Sequence, residues 1–337
     1  MPSPRAVVFG TAGPVLSPDE RRFFREADPL GFILFARNVE NPAQVRALIG
    51  DLRAAVGRAD VPVLIDQEGG RVARLKPPHW RAAPPAKIFG DLYAHDPVRA
   101  REAVRINHRL LAAELSALGI TVDCAPVLDV PVAGAHDVIG DRAFAHDPAV
   151  VADLGRAACD GLLAGGVLPV IKHIPGHGRA RADSHKELPA VDASLADMEA
   201  SDFAPFRALL DAPWAMTAHV LYTALDRDRP ATLSPGVIES VIRKRIGFDG
   251  VLLSDDIGMS ALTGDYRARA ESCLRAGCDV VLHCSGDAAE MRAAAEGTGP
   301  LSSAAGARVA AAEARRTKRI EPIETARELA ALDSLLA

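Results

Sequence analysis

The sequence predicts an α/β fold of the (β/α)8 TIM-barrel type, and three observations lead to that prediction. Short apolar runs rich in β-branched residues alternate with helical patterns, which is typical of parallel βα units. Eight such runs occur along the chain, and eight strands close a barrel of this kind. The length of 337 residues is ordinary for one such barrel.

The predicted strands are nearly continuous apolar runs, as expected for parallel strands that are covered on both faces. In chain order they are AVVFG (6–10), FILFA (32–36), VPVLID (61–66), TVDCAPVLD (121–129), LPVIKH (168–173), AMTAHV (215–220), VLLSDD (251–256) and DVVLHC (279–284). The alternative is an open doubly wound sheet, which would carry a glycine-rich phosphate turn after its first strand. Residues 10–13, GTAG, lack that motif.

Several helix starts are marked by a capping side chain followed by proline, which has no N–H to satisfy in the first turn. The pairs are Ser17-Pro18, Asn41-Pro42, Asp96-Pro97, Asp147-Pro148 and Ser234-Pro235, and Ser17 with Glu20 fits a capping box. DAAEMRAAAEG (287–297) predicts the eighth helix, and the tail from about 302 predicts one or two more, broken near Pro322. We therefore expect one catalytic domain over 1–337, with the barrel at about 1–300 and a C-terminal helical extension at about 301–337.

Composition restricts the partners and the compartment. The chain is 49% hydrophobic and 25% charged, and its net charge of -5 argues against nucleic acid as a partner. No apolar stretch reaches membrane-spanning length, and the start, MPSPRAVVFG, is too short in apolar residues for a signal-peptide core. The cysteines are odd in number and lack CxxC spacing. We expect a cytoplasmic monomer with no membrane partner and reduced, mostly buried thiols.

Polar residues follow most of the predicted strands, where barrel enzymes carry their active sites. These residues are Asp66-Gln67-Glu68, Asp129, Lys172-His173, His219, Ser254-Asp255-Asp256 and His283. Each one alone has a bland explanation; Asp129, for example, is more simply a hydrogen-bond acceptor for a neighbouring loop. Their convergence on one rim predicts a site there.

Three long loops add further polar groups to this rim. GGRVAR (69–74) carries Arg71 and Arg74, and VIGDRAF (138–144) carries Asp141 and Arg142. The third loop, IPGHGRARADSHKELP (174–189), holds His177, Asp183 and His185 among glycines and prolines. Its composition suits a mobile segment, and we call it the flap. We expect the general acid–base chemistry to reside in the flap.

Long motifs in this chain resemble those of one enzyme family. KHIPGHG (172–178) followed by ADSH (182–185) is similar to the signature of family 3 glycoside hydrolases of the NagZ-type β-N-acetylhexosaminidase branch. IDQEGGRVAR (65–74), VIGDRAF (138–144), MTAHVLYTALD (216–226) and LLSDDIGMSAL (252–262) match further blocks in the same order. The resemblance spans nearly the whole chain and implies the same barrel fold.

The resemblance also implies roles for individual residues. Asp255 would be the nucleophile, His185 the general acid/base and Asp183 the carboxylate paired with it. The residues that hold the sugar would be Asp66, Arg74, Arg142, Lys172 and His173. The implied enzyme is a retaining exo-β-N-acetylglucosaminidase without a cofactor or a metal, which acts on muropeptide fragments containing GlcNAc-1,6-anhydroMurNAc during cell-wall recycling. Ile174 and HCSG (283–286) depart slightly from the usual pattern.

Residue chemistry supports these roles independently. Asp255 ends a strand and would project into the barrel mouth, whereas Asp256 points to the opposite face. Asp183 and His185 are two residues apart, so in an extended segment the carboxylate could orient the imidazole. Histidine, with an ordinary pKa of about 6.5, suits both proton donation and proton acceptance. Aromatic residues make up only 4% of the chain, which favours a hydrogen-bonded pocket for one terminal sugar, although Trp80 could stack on it.

Three alternatives remain open from the sequence. A histidine acid/base does not repel anions, so phosphate could replace water and make the enzyme a phosphorylase. A metal hydrolase could use His173, His177, Asp183 and His185, although most of them lie on a flexible loop and no HExxH motif is present. A non-catalytic sugar-binding protein could keep the pocket without turnover.

Overall fold

A computed structural model describes residues 3–317 and 320–337, and its centre is a closed barrel of eight parallel strands. These strands are β1 (Arg5–Phe9), β2 (Pro29–Leu34), β3 (Val63–Ile65), β4 (Val122–Asp123), β5 (Leu168–Ile174), β7 (Trp214–Thr217), β9 (Val251–Asp256) and β10 (Val280–His283). Around the barrel they follow the order β1-β10-β9-β7-β5-β4-β3-β2. All eight predicted runs therefore supply the barrel strands, and the predicted fold class is confirmed.

Two short strands that the sequence did not predict lie outside the barrel. They are β6 (Ala190–Val191) and β8 (Leu221–Tyr222), which pair in parallel with each other. The amide of Leu221 also donates to the carbonyl of Pro189 at 2.9 Å. This small sheet fixes the C-terminal end of the flap beside the loop that follows β7.

Helices surround the barrel and follow the strands. They are α1 (Pro18–Ala27), α2 (Pro42–Val56), α3 (Ala86–Tyr93), α4 (Pro97–Ser116), α5 (Pro148–Ala164), α6 (Leu195–Ala200), α7 (Ala204–Ala208), α8 (Tyr266–Ala276), α9 (Ala288–Glu296), α10 (Ser303–Thr317) and α11 (Thr325–Leu336). A π-helix covers Val237–Ile246, and three-residue 3-10 helices cover Ala36–Asn38, Gly140–Arg142 and Ala231–Leu233.

The predicted helix starts are confirmed by their hydrogen bonds. Ser17 and Glu20 form the expected capping box at α1, and Asn41 Oδ1 accepts from two backbone amides at α2. Asp96 and Asp147 cap α4 and α5 in the same way. Ser234 Oγ accepts from the amide of Val237 where the π-helix begins. These caps satisfy amides that have no partner within the helix.

The strands bury alternate side chains in two separate apolar clusters. In β1, Val8 belongs to the cluster inside the barrel, whereas Val7 and Phe9 belong to the cluster between the strands and the helices. This division explains the continuous apolar runs, because both faces of every barrel strand are covered. Four of the cysteines are buried and Cys284 is half-buried, and all of them are free.

The C-terminal helices pack against the barrel. Leu301, Ala305 and Ala312 join the cluster inside the barrel, so α10 covers the end at which the strands begin. Leu332 of α11 is buried in the outer cluster, and Glu328 forms an ion pair with Arg109 of α4 at 3.0 Å. That residues 1–337 form a single catalytic domain stays a prediction. Among the described helices, none has the length and the hydropathy needed to cross a membrane.

Candidate active site

One cavity of about 460 Å³ opens at the end of the barrel where the strands terminate. Loops after β2, β3, β4, β5, β9 and β10 contribute to its wall. The cavity is lined by all eight side chains to which the family resemblance assigns a role, Asp66, Arg74, Arg142, Lys172, His173, Asp183, His185 and Asp255. The fold therefore brings together residues that are up to 189 positions apart in the chain, from Asp66 to Asp255.

A buried ion cluster forms the floor on one side of the cavity. Lys172 Nζ lies 2.9 Å from Asp66 Oδ1 and 2.7 Å from Glu68 Oε1, and its side chain is only 3% exposed. Arg74 Nη2 donates to Asp66 Oδ2 at 3.1 Å. Burial alone would lower the pKa of Lys172, but the two carboxylates raise it above its ordinary value. Lys172 is therefore charged at neutral pH.

Arg142 completes this cluster through a two-pronged contact with Glu68. Its Nε and Nη2 atoms donate to Glu68 Oε2 and Oε1, each at 2.9 Å. Burial alone would raise the pKa of Glu68, but Lys172 and Arg142 lower it to about 2. Both groups stay ionised, and the fork fixes the orientation of the guanidinium plane.

Glu68 is a site residue to which the sequence argument assigned no role. It ends the Asp66-Gln67-Glu68 segment, and residues two apart in an extended segment share one face. That spacing was the available signal. Gln67, between them, points away from the cavity: it is fully buried, and its Oε1 accepts from the amides of Arg74 and Leu75.

Asp129 holds two histidines at the end of β5. Its Oδ1 accepts from the backbone amides of His173 and His177, at 3.1 and 2.6 Å. Its Oδ2 lies 2.7 Å from His173 Nδ1, so Nδ1 donates and Nε2 is left for the cavity. The bland interpretation of Asp129 is therefore confirmed, since this carboxylate bonds a neighbouring loop and does not line the cavity.

Asp183 and His185 contact each other in the flap, as expected. Asp183 Oδ1 lies 2.9 Å from His185 Nδ1 and also accepts from the amide of His185 at 3.0 Å. The prediction of an extended segment is wrong, because the hydrogen bond from the amide of His185 to the Asp183 side chain closes a turn. The His185 side chain is 66% exposed, and its Nε2 atom is the free nitrogen. Burial would raise the pKa of Asp183, but the hydrogen bonds from His185 lower it.

Asp255 stands at the end of β9 with one oxygen uncommitted. Its Oδ1 accepts from the amide of Asp256 at 2.8 Å. Within residues 3–317 and 320–337, no hydrogen bond or ion pair reaches Oδ2. Burial would raise the pKa of Asp255, but the nearby His219 and His173 lower it. The carboxylate is therefore ionised at neutral pH.

The neighbouring Asp256 has a different environment. Its Oδ1 accepts from the amides of Gly258 and Cys284, at 2.9 and 3.1 Å, and burial raises its pKa. Its backbone carbonyl accepts from His219 Nε2 at 3.0 Å. Asp256 also borders the cavity, so the expectation that it lies on the opposite face is wrong. The two adjacent carboxylates differ instead in their partners, because Asp256 fixes the turn after β9 and Asp255 does not.

Some sequence expectations lie outside this cavity. Trp80 packs against the outer apolar cluster and does not line the cavity, so the suggestion that it stacks on the sugar is wrong. In the part of the chain that the structure describes, no group of three or more His, Cys, Asp and Glu side chains is arranged to hold a metal ion. His173 and His185 have carboxylate partners instead.

Comparison with known proteins places the chain in a family. The model of the glycosyl hydrolase family 3 N-terminal domain matches residues 20–315. The chain belongs to glycoside hydrolase family 3. This family 3 chain is 41% identical over 286 residues to the β-hexosaminidase of Bordetella avium, which covers 84% of the chain and 81% of that relative.

Solved structures agree with this assignment. NagZ from Neisseria gonorrhoeae, in complex with N-trifluoroacetyl-D-glucosamine, superposes with a TM-score of 0.88 at 32% identity, covering 100% of this chain and 99% of that one. A family 3 β-N-acetylglucosaminidase from Paenibacillus sp. str. FPU-7 gives a TM-score of 0.87 at 30% identity, covering 98% and 66%. The predicted enzyme class, a family 3 glycoside hydrolase of the β-N-acetylhexosaminidase type, is confirmed.

Proposed function

We propose that this enzyme is a retaining exo-β-N-acetylglucosaminidase in which Asp255 is the nucleophile and His185 the general acid/base. The observation that carries the proposal is the state of Asp255, an ionised carboxylate that faces the cavity with Oδ2 uncommitted. Four other carboxylates line the cavity, and each has another commitment. Asp66 and Glu68 are paired with cations, and Asp183 is paired with His185. Asp256 holds the turn after β9, and burial raises its pKa. Attack on an anomeric carbon needs a free carboxylate oxygen.

In the first half of the reaction, Asp255 Oδ2 attacks the anomeric carbon while the glycosidic bond breaks. His185 Nε2 gives its proton to the departing oxygen, and Asp183 stabilises the imidazolium through Nδ1. In the second half, the neutral Nε2 takes a proton from water, whose oxygen displaces Asp255 from the anomeric carbon. Two displacements at that carbon retain the β configuration.

The ion cluster and His173 would hold the terminal sugar. Lys172 Nζ has three N–H donors and uses two of them on Asp66 and Glu68, so one remains for a hydroxyl. Asp66 accepts one hydrogen bond on each oxygen and has lone pairs left. His173 Nε2 has no partner among the described residues. Since Arg74 and Arg142 fix the carboxylates of the cluster, these groups are arranged before the sugar arrives.

The substrate we infer is a GlcNAc-1,6-anhydroMurNAc muropeptide fragment of peptidoglycan recycling, processed by a monomer in the cytoplasm. Similarity to the gonococcal NagZ over both full lengths supports the assignment to this branch. Incubation with GlcNAc-1,6-anhydroMurNAc should release GlcNAc, as detected by mass spectrometry. Faster turnover of chitin oligosaccharides at equal concentration would contradict this substrate assignment.

The catalytic roles are tested with p-nitrophenyl β-N-acetylglucosaminide at neutral pH. We expect Asp255→Asn to lose at least about 10³-fold in kcat, because the amide is not a nucleophile and the covalent intermediate cannot form. Asp192→Asn, on the surface beyond the flap, is the matched control and should keep wild-type kcat. A slow fluorinated substrate should label the peptide that contains Asp255 in the wild type. Label on Asp256 would overturn the assignment.

The same assay separates the rival functions. Release of GlcNAc 1-phosphate only when phosphate is added would make the enzyme a phosphorylase, since phosphate oxygen would then displace Asp255. Tight GlcNAc binding without turnover would indicate a sugar-binding protein. Loss of activity in EDTA, restored by Zn²⁺, would indicate a metal hydrolase. We expect turnover without phosphate that persists in EDTA.

A further inference from the structure

Ser184, which separates Asp183 from His185, attaches the outer part of the flap (residues 181–188) to the rest of the molecule. Its side chain lies 3.2 Å from His177 Nε2, and both residues are only 3% exposed. Its carbonyl accepts from the amide of Ala261, in the loop after β9, at 3.3 Å. Ser184 therefore contacts both the base of the flap and the loop that follows Asp255.

Among the described residues, no other hydrogen bond ties residues 181–188 of the flap to the rest of the molecule. Before it, the carbonyls of Gly178 and Ala180 accept from amides in the loop after β4, and after it Pro189 bonds Leu221. Between 181 and 188, the hydrogen bonds that Asp183 accepts come from His185, Lys186 and Glu187 and so stay within the segment. Judged over residues 3–317 and 320–337, only the two bonds at Ser184 leave it. The position of Asp183 and His185 depends on them.

His177, the partner of Ser184, is itself held by contacts with neighbouring residues. The amide of His177 donates to Asp129 Oδ1 at 2.6 Å, and its ring lies edge-on to His173 at 5.6 Å between centroids. His177 Nδ1 is buried without a hydrogen bond within the described chain. An unpaired buried acceptor costs less than an unpaired donor, which favours Nε2–H donating to Ser184 Oγ. Burial and His173 lower the pKa of His177 to about 4, so the ring is neutral when the enzyme works near pH 7.

We propose that Ser184 is a positioning residue, which through His177 holds the Asp183–His185 pair at the cavity in the geometry needed for proton transfer. This inference rests on the proposed role of His185 as acid/base. Without the Ser184 hydroxyl, Asp183 and His185 would remain bonded to each other but would no longer be held in place at the cavity that Asp255 also lines. Proton transfer would suffer, whereas attack by Asp255 would not.

If only proton transfer is impaired, the loss of rate should depend on the leaving group of the substrate. A p-nitrophenolate leaves with little protonation, whereas a simple alkoxide needs a proton from the acid. Misplacement of a catalytic group by about 1 Å costs on the order of 100-fold in rate. Ser184→Ala should therefore lose about 10- to 100-fold in kcat/KM on methyl β-N-acetylglucosaminide and less than about 3-fold on the p-nitrophenyl glycoside.

The experiment compares Ser184→Ala with three other variants on both substrates. Arg181→Ala is the flap control, because its exposed side chain makes no hydrogen bond or ion pair in the described part of the chain. His177→Gln keeps an N–H donor near the position of Nε2, whereas His177→Leu removes it. We expect Gln to retain most of the activity on the methyl glycoside and Leu to lose it as Ser184→Ala does. His185→Ala is the reference for complete loss of the acid.

The outcomes separate this inference from the function on which it rests. If His185→Ala loses both substrates equally, the proposed acid/base role fails. If His185→Ala shows the leaving-group dependence and Ser184→Ala does not, only the positioning role of Ser184 is overturned. Partial unfolding of a variant would lower both rates by the same factor and leave their ratio unchanged. Azide, which bypasses the base in the second step, should raise kcat of Ser184→Ala and not that of Arg181→Ala.

Discussion

The ammonium group of Lys172 loses its hydration on burial, and its ion pairs with Asp66 and Glu68 compensate for that loss. Three cations, Lys172, Arg74 and Arg142, surround two carboxylates within the cluster. Buried ion pairs often add little net stability, because the loss of hydration offsets the attraction. The proposed sugar-binding role explains this cluster better, since a sugar hydroxyl would meet donors and acceptors that need no reorganisation.

Removing the central cation should have a large effect on stability. We expect Lys172→Met to lower the free energy of unfolding by about 3–5 kcal/mol, because Asp66 and Glu68 would lose their shared partner while remaining buried. Lys87→Met is the matched control, since Lys87 pairs with Asp91 one helical turn away on the surface. That loss should stay below about 0.5 kcal/mol. Urea titration at pH 7 measures both.

The pH dependence of that loss checks its origin. Asp66 and Glu68 have lower pKa values in the folded than in the unfolded protein, about 2 for Glu68. Their pairing therefore stabilises the fold fully above the unfolded pKa of about 4, and this contribution is lost as the pH falls towards about 2. The difference between wild type and Lys172→Met should therefore shrink as the pH falls from about 4 towards about 2, where Glu68 becomes protonated even beside Lys172. A constant difference would point to lost packing instead.

Much of the site could be predicted from residue identity and spacing, but not the partners of each group. The strand-end positions of Asp66, Lys172 and Asp255 placed them on one rim. The pairing of Arg142 with Glu68 joins segments 74 positions apart, and no local pattern encodes it. The same holds for Ser184 and His177, whose contact depends on how the flap turns back.

Among the secondary-structure elements, α3 determines how closely the loop that carries Arg142 approaches the barrel. Gly90 of α3 faces the carbonyl of Phe144, two residues after Arg142, and a Cβ at Gly90 would lie 1.7 Å from that oxygen. The helix therefore needs glycine at this position for packing, although glycine lowers helix propensity. Gly50 of α2 is also helical, but a Cβ there would meet nothing within 4 Å.

These two glycines give opposite predictions for the same substitution. Gly90→Ala should destabilise the protein by about 1–3 kcal/mol through overpacking, and should raise KM because the loop with Arg142 is displaced. Gly50→Ala should stabilise it by about 0.5–1 kcal/mol and leave KM unchanged, since only the helical propensity changes. Urea unfolding and steady-state kinetics provide the two readouts. Equal effects of the two substitutions would refute the packing argument.

The strands differ in how accurately their ends could be predicted from the sequence. The prediction for the fourth strand, 121–129, was too long, because β4 ends at Asp123. Pro126 has no amide hydrogen for a ladder, and the chain regains only an isolated bridge from Val127 to Lys172. β6 and β8 have two residues each, too few to form a recognisable pattern. Long apolar runs such as LPVIKH (168–173) predicted the correct element with almost correct ends, since β5 ends one residue later at Ile174.

At the scale of the whole molecule, the two ends of the barrel have different tasks. The candidate active-site cavity lies where the strands end, and α10 covers the end where they begin. Arg308 of α10 contacts Asp249 at 2.7 Å and Asp279 at 2.9 Å, just before β9 and β10. In barrel enzymes the covered end contributes stability and the open end chemistry. Helix α10 therefore belongs to the structural end of the barrel.

If the chain is one domain, as the sequence predicts, a defect in α11 should weaken the entire barrel. Leu332→Ala removes a buried leucine from the cluster shared with α4 and should cost about 2–4 kcal/mol. Calorimetry should show one transition whose Tm falls, with the van't Hoff and calorimetric enthalpies remaining equal. Ser334→Ala, exposed on the same helix, should not shift it. A separate transition at lower temperature, with the main Tm unchanged, would contradict this prediction. It would mean that the contacts of α11 with Arg99 and Arg109 break without destabilising the barrel.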